Sequence, residues 1–365
     1  MTAPATTDSS TARHYHGRDP LTDDVVDLWV VGDAITREPV SGAVTVVADG
    51  WIIPGLVDAH NHVGIAPGLG VTIDQARAFA HTDATAGALL IREVGSPLDT
   101  HPLDGTAGPV FIRSGKHIAR TKRYLRGYGV ELDDPDELPA EVARQAAAGD
   151  GWVKLVGDWI DREVGDLAPL WTRAQLDAAV ATAHDAGARI TAHVFGSDAL
   201  DDLIAAGVDC IEHGTGLHAD QIDALVEKSI ALVPTMIQVD NFPEIAAGAD
   251  KYPTYAAHMR KLHAAAPDTF GAAREAGVAM FAGTDAGGFI EHGRIVDEIE
   301  RLAQIGFGAI GALATATSAP RRWLGAGTLE EGDRADFLVL DDDPRTDLST
   351  LRRPRAVVCA GVHVV

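Results

Sequence analysis

Trp51-Ile52-Ile53-Pro54-Gly55-Leu56-Val57-Asp58-Ala59-His60-Asn61-His62 joins a short apolar run to two histidines with one residue between them. A run this short and this apolar reads as a buried strand, and side chains alternate along a strand with a period of two. His60 and His62 therefore leave the strand on the same side, where both imidazoles can reach one ion. Alone, such a pair is a weak sign of metal binding. It gains force because four more residues of ligand type close later apolar runs: Lys154 within 151–156, His193 within 190–194, His213 within 208–214, and Asp285 after 279–284.

Short apolar strands alternate with helical patterns through the middle of the chain. Strands are expected at 52–57, 88–94, 109–113, 152–156, 189–194, 208–212, 231–235 and 278–283. Helices are clearest at 172–186, with Thr172 to cap the start and Gly187 to end it, and at 198–206, 219–228 and 293–305. Eight strand–helix units read as an α/β chain folded into a (β/α)8 TIM barrel over residues 51–327, with a doubly wound open sheet as the competing architecture. In a barrel, site residues sit at the C-terminal ends of strands, which is where each ligand candidate falls. Residues 1–22, rich in Thr, Ser, Ala and Pro, read as a disordered lead in which His14 and His16 carry no weight. Strand-like pieces within 23–50 and 328–365 are expected to pair as a small β-sandwich.

At 365 residues with 46% hydrophobic content, the chain has ample material for a large core. Thirty basic residues against 53 acidic, a net charge of −23, argue against nucleic acid or an anionic membrane as partner. No apolar run approaches a bilayer span and the N-terminus lacks a secretion-signal core, so a cytoplasmic location is expected. Cys210 and Cys359 imply no disulfide framework and read as buried small hydrophobes. A small-molecule partner is expected, and nothing selects an oligomeric state, a homo-oligomer included.

Lys154 stands in the apolar run Gly151-Trp152-Val153-Lys154-Leu155-Val156, where a bare ammonium is costly to bury. An ion pair with Asp58 or Asp285, or a stem that snorkels to the barrel mouth, would offset that cost. So would carboxylation of the amine to a carbamate, which turns a poor ligand into a two-oxygen anion able to bridge two ions. Four imidazoles, the Asp285 carboxylate and that carbamate suit zinc, with manganese or iron as alternatives, better than calcium or magnesium.

The segments Pro54-Gly55-Leu56-Val57-Asp58-Ala59-His60-Asn61-His62, Ile211-Glu212-His213-Gly214, Gly283-Thr284-Asp285-Ala286-Gly287 and Gly332-Asp333-Arg334-Ala335-Asp336-Phe337 resemble those of the amidohydrolase superfamily. The match extends over almost the whole chain and is nearest to the imidazolonepropionase-like and Xaa-Pro dipeptidase-like group. The resemblance implies that His60, His62 and Asp285 hold one metal, that His193 and His213 hold a second, and that carboxylated Lys154 bridges them. It also implies a hydrolase in which a metal-bridging hydroxide attacks an amide, lactam or dipeptide-like C–N bond, with Asp285 moving the proton. Decarboxylation, or ester or phosphotriester cleavage, is the alternative on the same scaffold, because fold and metal set do not fix the bond attacked. A scaffold protein without catalysis has no need for such a ligand set.

Two departures from the family pattern bear on substrate. After Ser114-Gly115 the family carries Thr-Gly-Gly-His, whereas this chain reads Lys116-His117-Ile118-Ala119-Arg120-Thr121-Lys122-Arg123-Tyr124, placing Tyr124 where a carbonyl-polarising His is expected. Phe195 stands two positions after His193, where dipeptidase-like members tend to have Tyr. Arg120, with Lys122, Arg123 and Arg126, is expected to hold a substrate carboxylate, and His292 to line the pocket.

Overall fold

The computed structural model describes residues 12–67, 71–105 and 108–365. The opening stretch divides at Gly55. Trp51–Pro54 pairs antiparallel with Phe337–Leu340, whereas Leu56–Asn61 starts a parallel sheet with Ala88–Glu93. Pro54 has no N–H with which to continue a ladder. A Cβ on Gly55 would lie 2.7 Å from the Leu89 side chain, so the chain changes sheets where only glycine fits. The boundary expected between residues 50 and 51 therefore falls at Gly55.

Parallel strands run in order round the barrel: Leu56–Asn61, Ala88–Glu93, Val110–Arg113 continued by His117–Arg120, Trp152–Val156, Arg189–Val194, Cys210–His213 and Ala231–Val233. The third strand is interrupted at Ser114-Gly115-Lys116, where Gly115 has φ of +66°. The eighth segment is extended and makes isolated bridges, Met280 to Leu232 and Ala286 to Asn61. Its hydrogen bonds still close the ring. Leu232 N–H donates to Ala279 O at 2.9 Å and Phe281 N–H to Leu232 O at 3.1 Å, while Ala59 N–H donates to Ala282 O at 2.9 Å. Val57, Ala59, Leu90, Trp152, Cys210, Ala231, Val233 and Phe281 pack the barrel interior below the site. Both cysteines are buried and unpaired.

The expected helix caps form. Thr172 accepts from the Gln175 N–H and the Gln175 side chain accepts from the Thr172 N–H, a capping box that starts Arg173–Asp185. No single helix among the described residues is long and apolar enough to cross a membrane.

The two chain ends build a β domain, as expected, but it begins earlier than residue 23. Arg13–Arg18 is a strand paired with Val25–Val31, Val44–Val47 and Trp51–Pro54, so the part of the presumed disordered lead that is described is ordered. Tyr15 explains why: it is fully buried on Phe337, and its hydroxyl meets His363 Nε2 at 2.6 Å. One aromatic anchor on an otherwise polar segment leaves no periodic signature. Residues 1–11 of that lead lie outside the described residues.

Candidate active site

His60 and His62 leave the first strand side by side, and the eighth segment delivers Asp285 between them. Asp285 Oδ1 lies 3.1 Å from His60 Nε2 and 3.0 Å from His62 Nε2, and the two Nε2 atoms are 3.2 Å apart. Each ring is oriented from behind. His60 Nδ1 meets Glu212 Oε2 at 2.7 Å, and His62 Nδ1 donates to the Gly95 carbonyl at 2.8 Å. With Nδ1 as donor, Nε2 carries the lone pair, so three electron-pair donors converge on one point. Glu212 is in turn held by Arg92 Nη2 at 2.5 Å and by the Thr191 hydroxyl, all three side chains fully buried. Burial pushes the Glu212 carboxyl up, but Arg92 and His60 outweigh it and hold the pKa well below the usual carboxylate range.

His193 and His213 end the fifth and sixth strands and face each other, with His193 Nδ1 2.9 Å from His213 Nε2. His213 Nδ1 contacts Thr235 Oγ1 at 2.7 Å. Burial holds both imidazoles well below the usual histidine pKa, so they are neutral and free to ligate. Lys154, from the fourth strand, reaches into the same space. It makes no ion pair with Asp58 or Asp285 among the described residues, and its Nζ, like His193 Nε2, has no hydrogen-bond partner. Burial lowers its pKa to about 8, against the opposing pull of Glu212 and Asp285, which leaves a share of neutral amine near neutral pH. Lone-pair donors in two groups, with an unsatisfied lysine in the same cavity, suit divalent ions.

The backbone around these ligands is unusual. Eight non-glycine residues among those described have positive φ, and three cluster here: His213 at +67°, Thr235 at +46° and Asp285 at +57°. Asp58 helps hold the Asp285 turn, accepting from the Thr284 N–H at 2.9 Å and the Thr284 hydroxyl at 2.6 Å. Gly283 is forced, since a Cβ there would stand 2.7 Å from His60 Cβ.

The amidohydrolase family model matches residues 51–364, the barrel together with the last strands. The chain belongs to the amidohydrolase family. It is a metal-dependent hydrolase acting on carbon–nitrogen bonds. Uncharacterized proteins of Mycobacterium tuberculosis and Mycobacterium bovis are each 54% identical to it over 349 residues, covering 95% of this chain and 94% of theirs. A crystal structure of a Xaa-Pro dipeptidase with methionine bound in its active site superposes with a TM-score of 0.80 at 24% identity, over 97% of this chain and 99% of the other. The Aspergillus niger ochratoxinase superposes with a TM-score of 0.79 at 17% identity, over 98% of this chain and 96% of its own. Phenylurea hydrolase B gives 0.74 at 18% identity, over 97% and 96%. The fold is that of the Xaa-Pro dipeptidase-like group.

In this amidohydrolase the ligand candidates open into a cavity of about 190 Å³. Tyr124 lines it, its ring 4.8 Å from Trp159 and 5.8 Å from His193, and burial raises the phenol pKa so that the hydroxyl stays protonated. Arg120 does not line it. The basic run that contains Arg120 supports a loop instead: Arg123 pairs with Asp161 at 2.8 Å and donates to the Trp159 and Ala168 carbonyls, fastening the hairpin 158–169. His292 also lies outside the cavity. It meets Asp83 at 2.8 Å and stacks on Phe79 at 4.5 Å, behind Asn61, because Gly293 turns the chain back toward the helix Ile73–Thr85. Residues that the sequence did not single out fill these places. Leu125, Tyr128, Trp159, Ile245, Tyr255 and Phe289 line the cavity with Phe195, and His117 is buried in its wall. The third strand was expected to end at residue 113, so the half-strand His117–Arg120 that points His117 inward carried no signal. Glu212 did carry one: a charge inside an apolar strand, directly before the ligand candidate His213.

Proposed function

We propose that this amidohydrolase cleaves the C–N bond of a small, neutral amide or lactam bearing an apolar or aromatic group, at a binuclear centre. The centre would be held by His60, His62 and Asp285 on one side and His193 and His213 on the other, with carboxylated Lys154 between. The observation that carries this is the meeting of both ligand groups in one cavity walled by aromatic and aliphatic side chains, with no arginine among its lining residues. A substrate carboxylate would have no guanidinium to receive it there, which turns the expectation of anionic substrates toward neutral ones.

Divalent ions in these positions, zinc by the nitrogen-rich donor set, would supply carbonyl polarisation and a water with its pKa lowered to about 7. The protein does the rest. Burial raises the Asp285 carboxyl, but His60 and His62 prevail and keep it well below its usual range, so it is ionised and ready to take a proton and return it to the leaving nitrogen. Glu212 and the Gly95 carbonyl fix which imidazole nitrogens face inward. The protonated Tyr124 phenol is a donor for charge developing on the scissile oxygen. Elemental analysis with a panel of N-acyl anilines, lactams and N-acyl amino acids tests the reading. Two ions per chain and a kcat/KM favouring neutral aryl amides are expected. One ion at full activity would remove the binuclear centre, and a preference for carboxylate-bearing substrates would remove the apolar class.

A further inference from the structure

His117 is the one deeply buried histidine of the cavity wall that the reaction above leaves without a task. Only 1% of its surface is exposed, and neither ring nitrogen has a hydrogen-bond partner. A neutral imidazole carries one N–H and one lone pair, and leaving both unsatisfied away from water costs about 1–3 kcal/mol for each group. The Tyr128 main chain comes near without reaching hydrogen-bond geometry. The ring is nonetheless held firmly: it lies 5.3 Å from His62 and 5.1 Å from Tyr124, and a Cβ on Gly95 would come within 2.6 Å of it.

What lies beside it decides its use. His117 and Lys154 are register partners on adjacent parallel strands, so both side chains leave the sheet on the same face, into the barrel. Lys154 Nζ, like His193 Nε2, is also buried and unsatisfied. His117 and Lys154 do not bond each other as they stand. Both ring nitrogens are buried, and His117 is not among the clustered donors His60, His62 and Asp285.

We infer that His117 is a positioning residue for the Lys154 head group, hydrogen-bonding the carbamate formed when Lys154 is carboxylated; this rests on the bridging-lysine reading above. The Nζ lone pair forms the N–C bond to carbon dioxide, one C=O electron pair moves onto oxygen, and the proton released from Nζ passes to solvent. The product extends Lys154 by one carboxylate and presents both an N–H donor and oxygen acceptors. It therefore satisfies either imidazole tautomer, and the contact fixes the direction in which the carbamate oxygens point.

The test compares wild type with His117→Phe and His117→Met, which remove the polar atoms, and His117→Gln, which restores a donor and an acceptor. Each is stripped of metal, equilibrated with zinc across a series of 13C-bicarbonate concentrations, and read by the 13C signal of the carbamate carbon and by zinc per chain. Wild type is expected to show one carbamate carbon and two zinc ions. Both apolar variants should need about tenfold more bicarbonate or more to reach half-loading, with His117→Gln recovering part of the loss. Wild-type carbamate signal and loading in whichever apolar variant folds would overturn the role of His117 and leave the bridging lysine standing. A wild type with no carbamate signal at any bicarbonate concentration would overturn the bridging lysine itself.

Discussion

The two halves of the site are built differently. Around His60, His62 and Asp285 every inward-facing atom is backed by a second group: Glu212 behind His60, the Gly95 carbonyl behind His62, and Asp58 and Thr284 behind the Asp285 turn. Around His193, His213 and Lys154 the protein leaves gaps, with Lys154 Nζ and His193 Nε2 unsatisfied. The first half is organised by the chain alone. On the proposed binuclear reading the second would be completed by what it binds, and should then be the more sensitive to metal, carbon dioxide and their removal.

The strongest way to break that contrast is Asp285→Asn, expected to lower turnover by at least about a hundredfold with an unchanged melting temperature for the metal-free protein. Turnover near the wild-type rate would move proton transfer to another group. Lys154→Ala should next reduce metal content from two ions to one, the lost ion being that of the His193/His213 half, with short carboxylic acids restoring part of the activity. Loss of both ions together would mean that the halves are not independent. Glu212→Gln probes the organised half through stability. It leaves Arg92 buried without its counter-charge, so a loss of about 3–5 kcal/mol is expected in denaturant unfolding, against less than about 0.5 kcal/mol for an ordinary surface change. An unfolding midpoint equal to that of wild type would remove the Arg92–Glu212–His60 chain as a source of order. The smallest effect belongs to Arg120→Ala, which should leave the KM ratio of anionic to neutral substrates unchanged, since Arg120 is not in the cavity wall. A selective rise for anionic substrates would return it to the site.

The residues that meet in the cavity were legible because they combine scarce chemistry with a regular address: polar residues of ligand type where apolar strands end. The same regularity gave the strand–helix alternation. What escaped depended on contacts between distant segments. Tyr15 orders the Arg13–Arg18 strand through Phe337 and His363, more than 300 positions away in sequence. Arg120 and His292 were misplaced because loop direction follows from anchors such as Arg123 on Asp161 and His292 on Asp83, which no local pattern encodes. His117 was hidden by the break at Gly115, because the strand expected at 109–113 resumes only beyond it.

The sheet change at Gly55 also sets an order of events for a chain emerging from the ribosome. Trp51–Pro54 is made early, yet its partner Phe337–Leu340 arrives only after the entire barrel has been synthesised. At about 5–20 residues per second, that edge waits on the order of ten seconds or more, next to the strand that carries His60 and His62. Pairings this distant in sequence form slowly. Truncations near the C-terminus should therefore leave Trp51–Pro54 an unpaired, aggregation-prone edge and also strip Leu338, Leu340 and Val357 from the core they share with the barrel.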